Sequence, residues 1–341
     1  MSLALEPSAG LPGWRPPFWL GGAGVLGGHA QTIWPALFSR RYEGEAPRWR
    51  RERWHTPDGD FVDVDHLVAE SPLPGRAPWL VLFHGLEGSS ASHYAQAFAH
   101  WARMHGWHCV VPHFRGCSGE LNLAPRAYHS GDFEELGWML ARLRAQHAAP
   151  MVAVGVSLGG NALLRWAQEA GAEGTRLVRA VAAVSAPVDL AAGGRAIGRG
   201  LNRLLYNRMF LRSMRPKALA KLAQHPGLFD AEKLQAVRDL YEFDNLFTAP
   251  LHGFRDTEDY WARASAKPGL ASMRHLPALV LNARNDPFVP AECLPGPSGA
   301  GPAVTLWQPA CGGHVGFPAG RFPGHVMSLP AAVMDWMRRQ L

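Results

Sequence analysis

The sequence predicts an α/β fold: a mostly parallel eight-stranded sheet with flanking helices and an inserted helical lid. Three observations predict it. Short runs rich in β-branched residues alternate with amphipathic stretches, the pattern of strands joined by crossover helices. Most of those runs are apolar throughout, as in strands covered on both faces. One interval between two runs spans about ninety residues, far beyond a single crossover helix, and is itself helical in pattern.

In chain order, 49–56 and 61–68 read as an opening hairpin turning at Pro57-Asp58-Gly59, with period-two alternation in its second arm. Buried strands follow at 79–83, 109–112, 151–156, 178–185, 278–282 and 304–307. Helices are expected at 92–105, 133–147 and 158–170, and a last one at 331–340. Asp132, with Glu135 three residues on, reads as a capping box for the second of these. The long interval carries helical patterns at 201–222 and 232–241. The expected organisation is an N-terminal extension (1–48) packed on the core, a core of 49–187 and 276–341, and a lid of 188–275. Gly and Pro crowd 293–302, so the helix between the last two strands is expected to be short or missing.

Composition excludes several classes. Hydrophobic residues make up 47% of the 341 positions and charged residues 18%, which supplies a core and excludes disorder. The net charge of +6 is local to the lid: Arg195, Arg199, Arg203, Arg208, Arg212, Arg215, Lys217 and Lys221 occur with no acid from Leu190 to Phe229. No groove-reading motif accompanies them, so nucleic acid is not an expected partner. Four cysteines without a C-x-x-C pair suit a reducing compartment. The first thirteen residues lack a basic start and apolar run, and 18–38 is broken by glycines and Pro35, so a soluble, cytoplasmic protein is expected. The G-x-G-x-x-G match at 22–27 follows no strand, and no zinc signature occurs, so neither a cofactor nor a metal is expected.

The chemistry is carried by Gly155-Val156-Ser157-Leu158-Gly159, a G-x-S-x-G after an apolar strand and before a helix. A serine on a strained strand-to-helix turn needs small neighbours two residues away on each side, because the backbones crowd there. The turn lifts the Ser157 hydroxyl above the sheet and aims the Leu158 N–H at a developing oxyanion. A serine needs a base, and the base an orienting acid. Asp286 follows the expected strand 278–282, and His314, between glycines, follows 304–307. Both would emerge at the carboxyl ends of parallel strands, beside Ser157. Asp189 is an alternative acid, but its type and place fit the N-cap of the first lid helix. The loop after the third strand, His84-Gly85-Leu86-Glu87-Gly88, offers the Leu86 N–H as second oxyanion donor, with His84 bracing the loop.

On these residues the chain resembles the α/β-hydrolase superfamily, specifically its YheT-like branch of predicted hydrolases. The resemblance rests also on Gly28-His29-Ala30-Gln31-Thr32-Ile33-Trp34-Pro35, Phe114-Arg115-Gly116-Cys117-Ser118-Gly119, Gly160-Asn161, Asn285-Asp286-Pro287 and Gly312-Gly313-His314-Val315-Gly316-Phe317. It implies the α/β-hydrolase fold and a Ser157–Asp286–His314 charge relay acting on carboxylic esters, with a small ester or lipid-like substrate. The residues leave acyl transfer to another alcohol open, and also a binding module without turnover. Leu201, Leu204, Leu205, Met209 and Phe210 stand beside Arg203, Arg208 and Arg212. They read first as an apolar face covering the pocket, and second as a weak peripheral contact with an anionic membrane.

Overall fold

The computed structural model describes residues 13–341, so the first twelve residues read for a leader lie outside the description. The hairpin forms β1 (Trp49–His55) and β2 (Phe61–Leu67), paired antiparallel from Trp49↔Leu67 to His55↔Phe61. The remaining strands are β3 (Trp79–Phe83), β4 (His108–Pro112), β5 (Met151–Val156), β6 (Val181–Val184), β7 (Ala278–Leu281) and β8 (Val304–Trp307). The sheet order is β1-β2-β4-β3-β5-β6-β7-β8, with β2 antiparallel to β4 and every later pairing parallel.

Strands β3, β5, β6 and β7 are buried along their whole length. The alternation of β3 shows why. Trp79, Val81 and Phe83 face Leu136, Met139 and Leu140 of one helix (α3, Phe133–Gln146) and Leu163 of another (α4, Leu158–Ala170). Leu80 and Leu82 face Phe98 of the helix His93–Met104 (α2) and Met334 of the C-terminal helix Ser328–Arg338. A strand sandwiched in this way cannot show a polar face, and its sequence is correspondingly apolar. Between β7 and β8 the chain makes only the 3-10 turns Ala291–Cys293 and Pro297–Gly299, in line with its Gly/Pro content.

Between β6 and β7 lie the helices Leu190–Ile197, Arg208–Gln224, Ala231–Ala236, Leu240–Phe243 and Thr257–Ala264, with π-helical turns at Arg203–Asn207 and Asp244–Thr248. They hold a hydrophobic cluster of their own around Leu211, Leu234, Phe243 and Phe247. Asn161 of α4 fastens them to the sheet, donating to the Ser130 and Ala264 carbonyls at 2.8 Å each and accepting the Ala266 N–H at 3.0 Å. No helix among the described residues is long and apolar enough to cross a membrane.

Two local expectations fail for identifiable reasons. The capping box at Asp132 and Glu135 does not form: Asp132 takes Arg126 at 2.8 Å and Glu135 takes Arg115 at 2.6 Å, so neither side chain caps the helix. The second expected lid helix, 232–241, breaks at Val237 into two short ones. A further helix, Val25–Leu37 (α1), was not expected at all, since Gly27, Gly28 and Pro35 argue against one.

Arg115 lies buried beneath the β2 end of the sheet, bound to Asp58 at 2.8 Å, Asp60 at 2.7 Å and Glu135 at 2.6 Å. Burial opposes the Asp60 charge, but hydrogen bonds from Asn122 and the Leu123 and Phe61 amides outweigh it and hold the carboxyl down at about 2. Removing the guanidinium would strand the buried carboxyl groups of Asp60 and Glu135. Arg115→Met is expected to lower stability by about 3–5 kcal/mol in urea unfolding. Arg176→Met, which breaks an exposed pair with Glu173, should stay near wild type.

Candidate active site

Ser157 sits between β5 and α4 with φ +53° and ψ −118°, a strained backbone for a residue with a side chain. The surroundings enforce it. A Cβ at Gly155 would lie 2.3 Å from the Gly159 carbonyl oxygen, and one at Gly159 would lie 2.4 Å from that of His84. Strand, helix and the loop after β3 therefore cross in contact, and the serine is pushed up into the open end of the sheet.

His314 and Asp286 arrive from the loops after β8 and β7. His314 Nε2 lies 3.0 Å from Ser157 Oγ, and His314 Nδ1 lies 2.8 Å from Asp286 Oδ2. Asp286, 5% exposed, accepts the Phe288 N–H at 2.7 Å and the Val289 N–H at 3.3 Å on its other oxygen. With that carboxylate on Nδ1, the proton belongs on Nδ1 and Nε2 is left to accept from the serine hydroxyl. The Phe288 ring packs against the imidazole, centroids 4.1 Å apart. Asp189 is elsewhere engaged, accepting the Ala192 N–H at 3.1 Å as the N-cap of Leu190–Ile197 and pairing with Lys267 at 3.2 Å.

In the loop after β3, the Gly85 N–H donates to Tyr94 Oη and the Glu87 N–H to Tyr128 Oη. Between them the Leu86 N–H has no protein acceptor among the described residues, and nor has the Leu158 N–H at the start of α4. His84 is fully buried beneath this loop. Its Nδ1 donates to the Gly85 carbonyl at 2.8 Å and its Nε2 accepts the Phe114 N–H at 3.1 Å, which makes it a brace. Burial pushes its pKa down to about 3, so it is neutral in the folded protein.

Other contributors escaped sequence reasoning. α1 runs beneath both loops: Thr32 Oγ1 accepts the His314 N–H at 2.8 Å, and Gln31 Oε1 accepts the Gly312 N–H at 2.9 Å and the Asn285 amide at 3.0 Å. Asn285 in turn accepts the Gly313 N–H at 3.0 Å. The Gly28–Pro35 motif was visible, but nothing local connects it to residues nearly three hundred positions away. Glu87 was missed too. It accepts from Tyr128 Oη at 3.0 Å and from Lys217 Nζ of the helix Arg208–Gln224 at 2.9 Å, joining the loop beside Leu86 to the inserted helices.

Ser157 and His314 open into an apolar pocket whose far wall is Ile197, Phe210, Leu240, Phe243 and Phe247. Of the five apolar residues expected to cover it, only Phe210 does; Leu201, Leu204, Leu205 and Met209 are exposed. Asp244 is a carboxyl in this apolar wall, accepting Trp261 Nε1 at 2.9 Å, and burial pushes it up to about 6. Cys117 and Cys311 are buried packing residues, and burial pushes the Cys117 thiol up to about 12.

Two consequences are measurable. A Cβ at Gly316 would lie 1.7 Å from the Gln31 carbonyl oxygen, so Gly316→Ala forces α1 and the His314 loop apart. It is expected to cost about 1–3 kcal/mol in urea unfolding, whereas Gly75→Ala, with open space around it, should change little. His84 stays neutral in the fold down to about pH 3, whereas an unfolded histidine protonates near 6.5. The unfolded state therefore binds the extra proton between those values, and stability from this group falls as pH drops through them. The drop in urea midpoint between about pH 7 and about pH 5 should be smaller in His84→Asn than in wild type.

Residues 78–320 match the family model described as the alpha/beta hydrolase fold. The Escherichia coli protein YheT, which carries an esterase name, is 41% identical over 92% of this chain and 91% of its own. The mouse protein named phospholipase ABHD3 is 31% identical over 81% of this chain and 68% of its own. The Pyrococcus furiosus esterase Pf2001 superimposes with a TM-score of 0.52 at 16% identity, covering 88% of this chain and 98% of that one, a likeness of fold. The crossing at Ser157, the sheet that carries it and these similarities agree: the chain belongs to the α/β-hydrolase family, in its YheT-like branch.

Proposed function

We propose that this chain is a serine hydrolase that cleaves carboxylic esters through an acyl-enzyme on Ser157. The observation that carries the reading is the run of contacts from Ser157 Oγ to His314 Nε2 at 3.0 Å and from His314 Nδ1 to Asp286 at 2.8 Å. In the first step His314 takes the hydroxyl proton as Ser157 Oγ attacks the ester carbonyl. The Leu86 and Leu158 N–H groups hold the oxyanion, and Asp286 stabilises the imidazolium. Collapse of the tetrahedral intermediate breaks the ester C–O bond, and His314 delivers the proton to the leaving alcohol. Water then enters, gives its proton to His314, and releases the acid from Ser157 by the reverse steps.

The substrate reading follows from the pocket. Its phenylalanine-rich wall suits an acyl chain of short to medium length, and the helices of 188–275 act as a lid that defines it. Relatives named as a phospholipase and, at 26% identity in Saccharomyces cerevisiae, as a monoacylglycerol lipase support an acylglycerol-like ester. The four free cysteines, three of them buried, fit a cytoplasmic setting.

Fluorophosphonate labelling tests the nucleophile, and p-nitrophenyl esters from acetate to palmitate test the pocket. Wild type should label at Ser157 and turn over the shorter esters best. Ser157→Ala should lose labelling and several powers of ten in kcat. Asp286→Asn should lose far more activity than Asp189→Asn; the opposite order overturns the acid assignment. A native protein that resists labelling would instead be a binding module, and ester formation with an added alcohol would mark an acyltransferase.

A further inference from the structure

On the outer side of the inserted helices, Arg203, Arg208, Arg212, Arg215 and Arg238 line a single cleft with Asn207. The cleft holds about 640 Å³, room for a headgroup rather than for a lone water. Only Arg238 has a carboxylate partner, Glu242 at 2.8 Å; the other four have none among the described residues. Asn207, 1% exposed, donates to the Arg238 carbonyl and so fixes the backbone under that guanidinium. Arg215 donates to the Val237 carbonyl through one terminal nitrogen, while its buried Nε finds no acceptor. Five guanidinium groups gathered around the one carboxylate of Glu242 repel one another, and a buried unpaired donor is costly. Both are relieved by an oxyanion, and arginine forks fit phosphate oxygens.

The rim of the same cleft says where the phosphate comes from. Leu204 lines the cleft itself, and Leu201, Leu205 and Met209 alternate with the arginines along the same turns; the four are about half exposed, at 55%, 51%, 46% and 54%. α1 adjoins them through His29 Nδ1, 2.9 Å from Tyr206 Oη, and Leu26, one turn earlier on the same helical face, is 77% exposed. A free phosphate has no use for leucines, nor has the backbone of a nucleic acid, and a single strand would call for aromatic stacking groups that the cleft lacks. We propose that this surface docks on an anionic phospholipid bilayer, the arginines taking headgroup phosphates and the leucines and Met209 reaching the acyl boundary. Phe210 of the adjacent turn lines the Ser157 pocket, so the docking surface lies on the outer side of that pocket's wall. The surface stands whether or not Ser157 is a nucleophile.

Flotation with vesicles tests it, using the full chain at low salt. Phosphatidylcholine vesicles containing phosphatidylglycerol should carry the protein up, pure phosphatidylcholine should not, and added salt should release it. Arg208→Gln and Arg212→Gln should each lower the partition coefficient about fivefold, the weight of one basic residue at such a surface. Leu204→Ser with Met209→Ser should also weaken flotation, yet keep the rise in melting temperature that inorganic pyrophosphate gives the wild type. No flotation on anionic vesicles overturns the proposal, as does equal partition of wild type and a variant that combines Arg208→Gln with Arg212→Gln. A pyrophosphate effect without vesicle recovery makes the cleft a free-phosphate site and also overturns it, as does tighter binding to an RNA oligonucleotide. Fluorophosphonate labelling of the same samples reports separately on Ser157, so failure of the hydrolase reading would be visible on its own.

Discussion

Three backbones meet at Ser157 with no room for a side chain between them. β5 ends there, α4 begins there, and the loop after β3 presses its His84 carbonyl into the same space. The strained φ of the serine is the cost of that contact, and the burial of α4 between the sheet and the inserted helices over-determines it. The geometry above the sheet is a consequence. A hydroxyl raised at this height is the one that a base on a neighbouring loop can reach, and the Leu158 N–H is left free because the helix begins one residue later. Displacing the crossing would lose the hydroxyl position and both unpartnered amides together.

His314 is held from a different direction. The loop around His314 has little regular structure of its own: Gly312 and Gly313 have positive φ, at 151° and 60°, and so do Val315 and Phe317. Its order comes from α1, whose Gln31 and Thr32 accept N–H groups of the loop, and from Asn285 beside the acid. Gln31 binds both loops through one oxygen, so the loops of Asp286 and His314 are indexed to the same helix rather than only to their own strands. A two-loop site becomes rigid when one external element spans both.

This division explains how much could be read from residue order. Ser157, Leu158 and Leu86 are specified by neighbours within a few positions, since small residues, a strand before and a helix after are local signals. Asp286 and His314 were legible because both follow apolar strands, and parallel strands deliver their carboxyl ends to one rim. α1 was not, since its glycines and proline oppose helix formation and its stability comes from contacts with a loop at the other end of the chain. Asp132 and Glu135 misled for a related reason. Their spacing satisfies a local rule, but two arginines that are near only in the folded chain take both carboxylates.

The inserted helices show the third kind of failure, a change of period. Helical spacing assigns Leu201, Leu204, Leu205, Met209 and Phe210 to one face if each turn holds 3.6 residues. The π-helical turn Arg203–Asn207 inserts an extra residue into the bonding pattern, which rotates the residues after it relative to those before it. Tyr206 and Asn207 then turn inward, Tyr206 onto His29 and Phe288, and Phe210 reaches the pocket while the leucines before it face out. A regular helix would have to choose between lining the pocket and presenting an apolar outer surface. The wide turn lets one segment do both, and it does so next to Phe288, the ring that packs on His314. Lys217, two turns on, binds Glu87 beside the Leu86 amide. The inserted helices thus reach His314 through Phe288 and the loop of Leu86 through Glu87. A shift in their position would therefore move the His314 side and the Leu86 side of the candidate site at once.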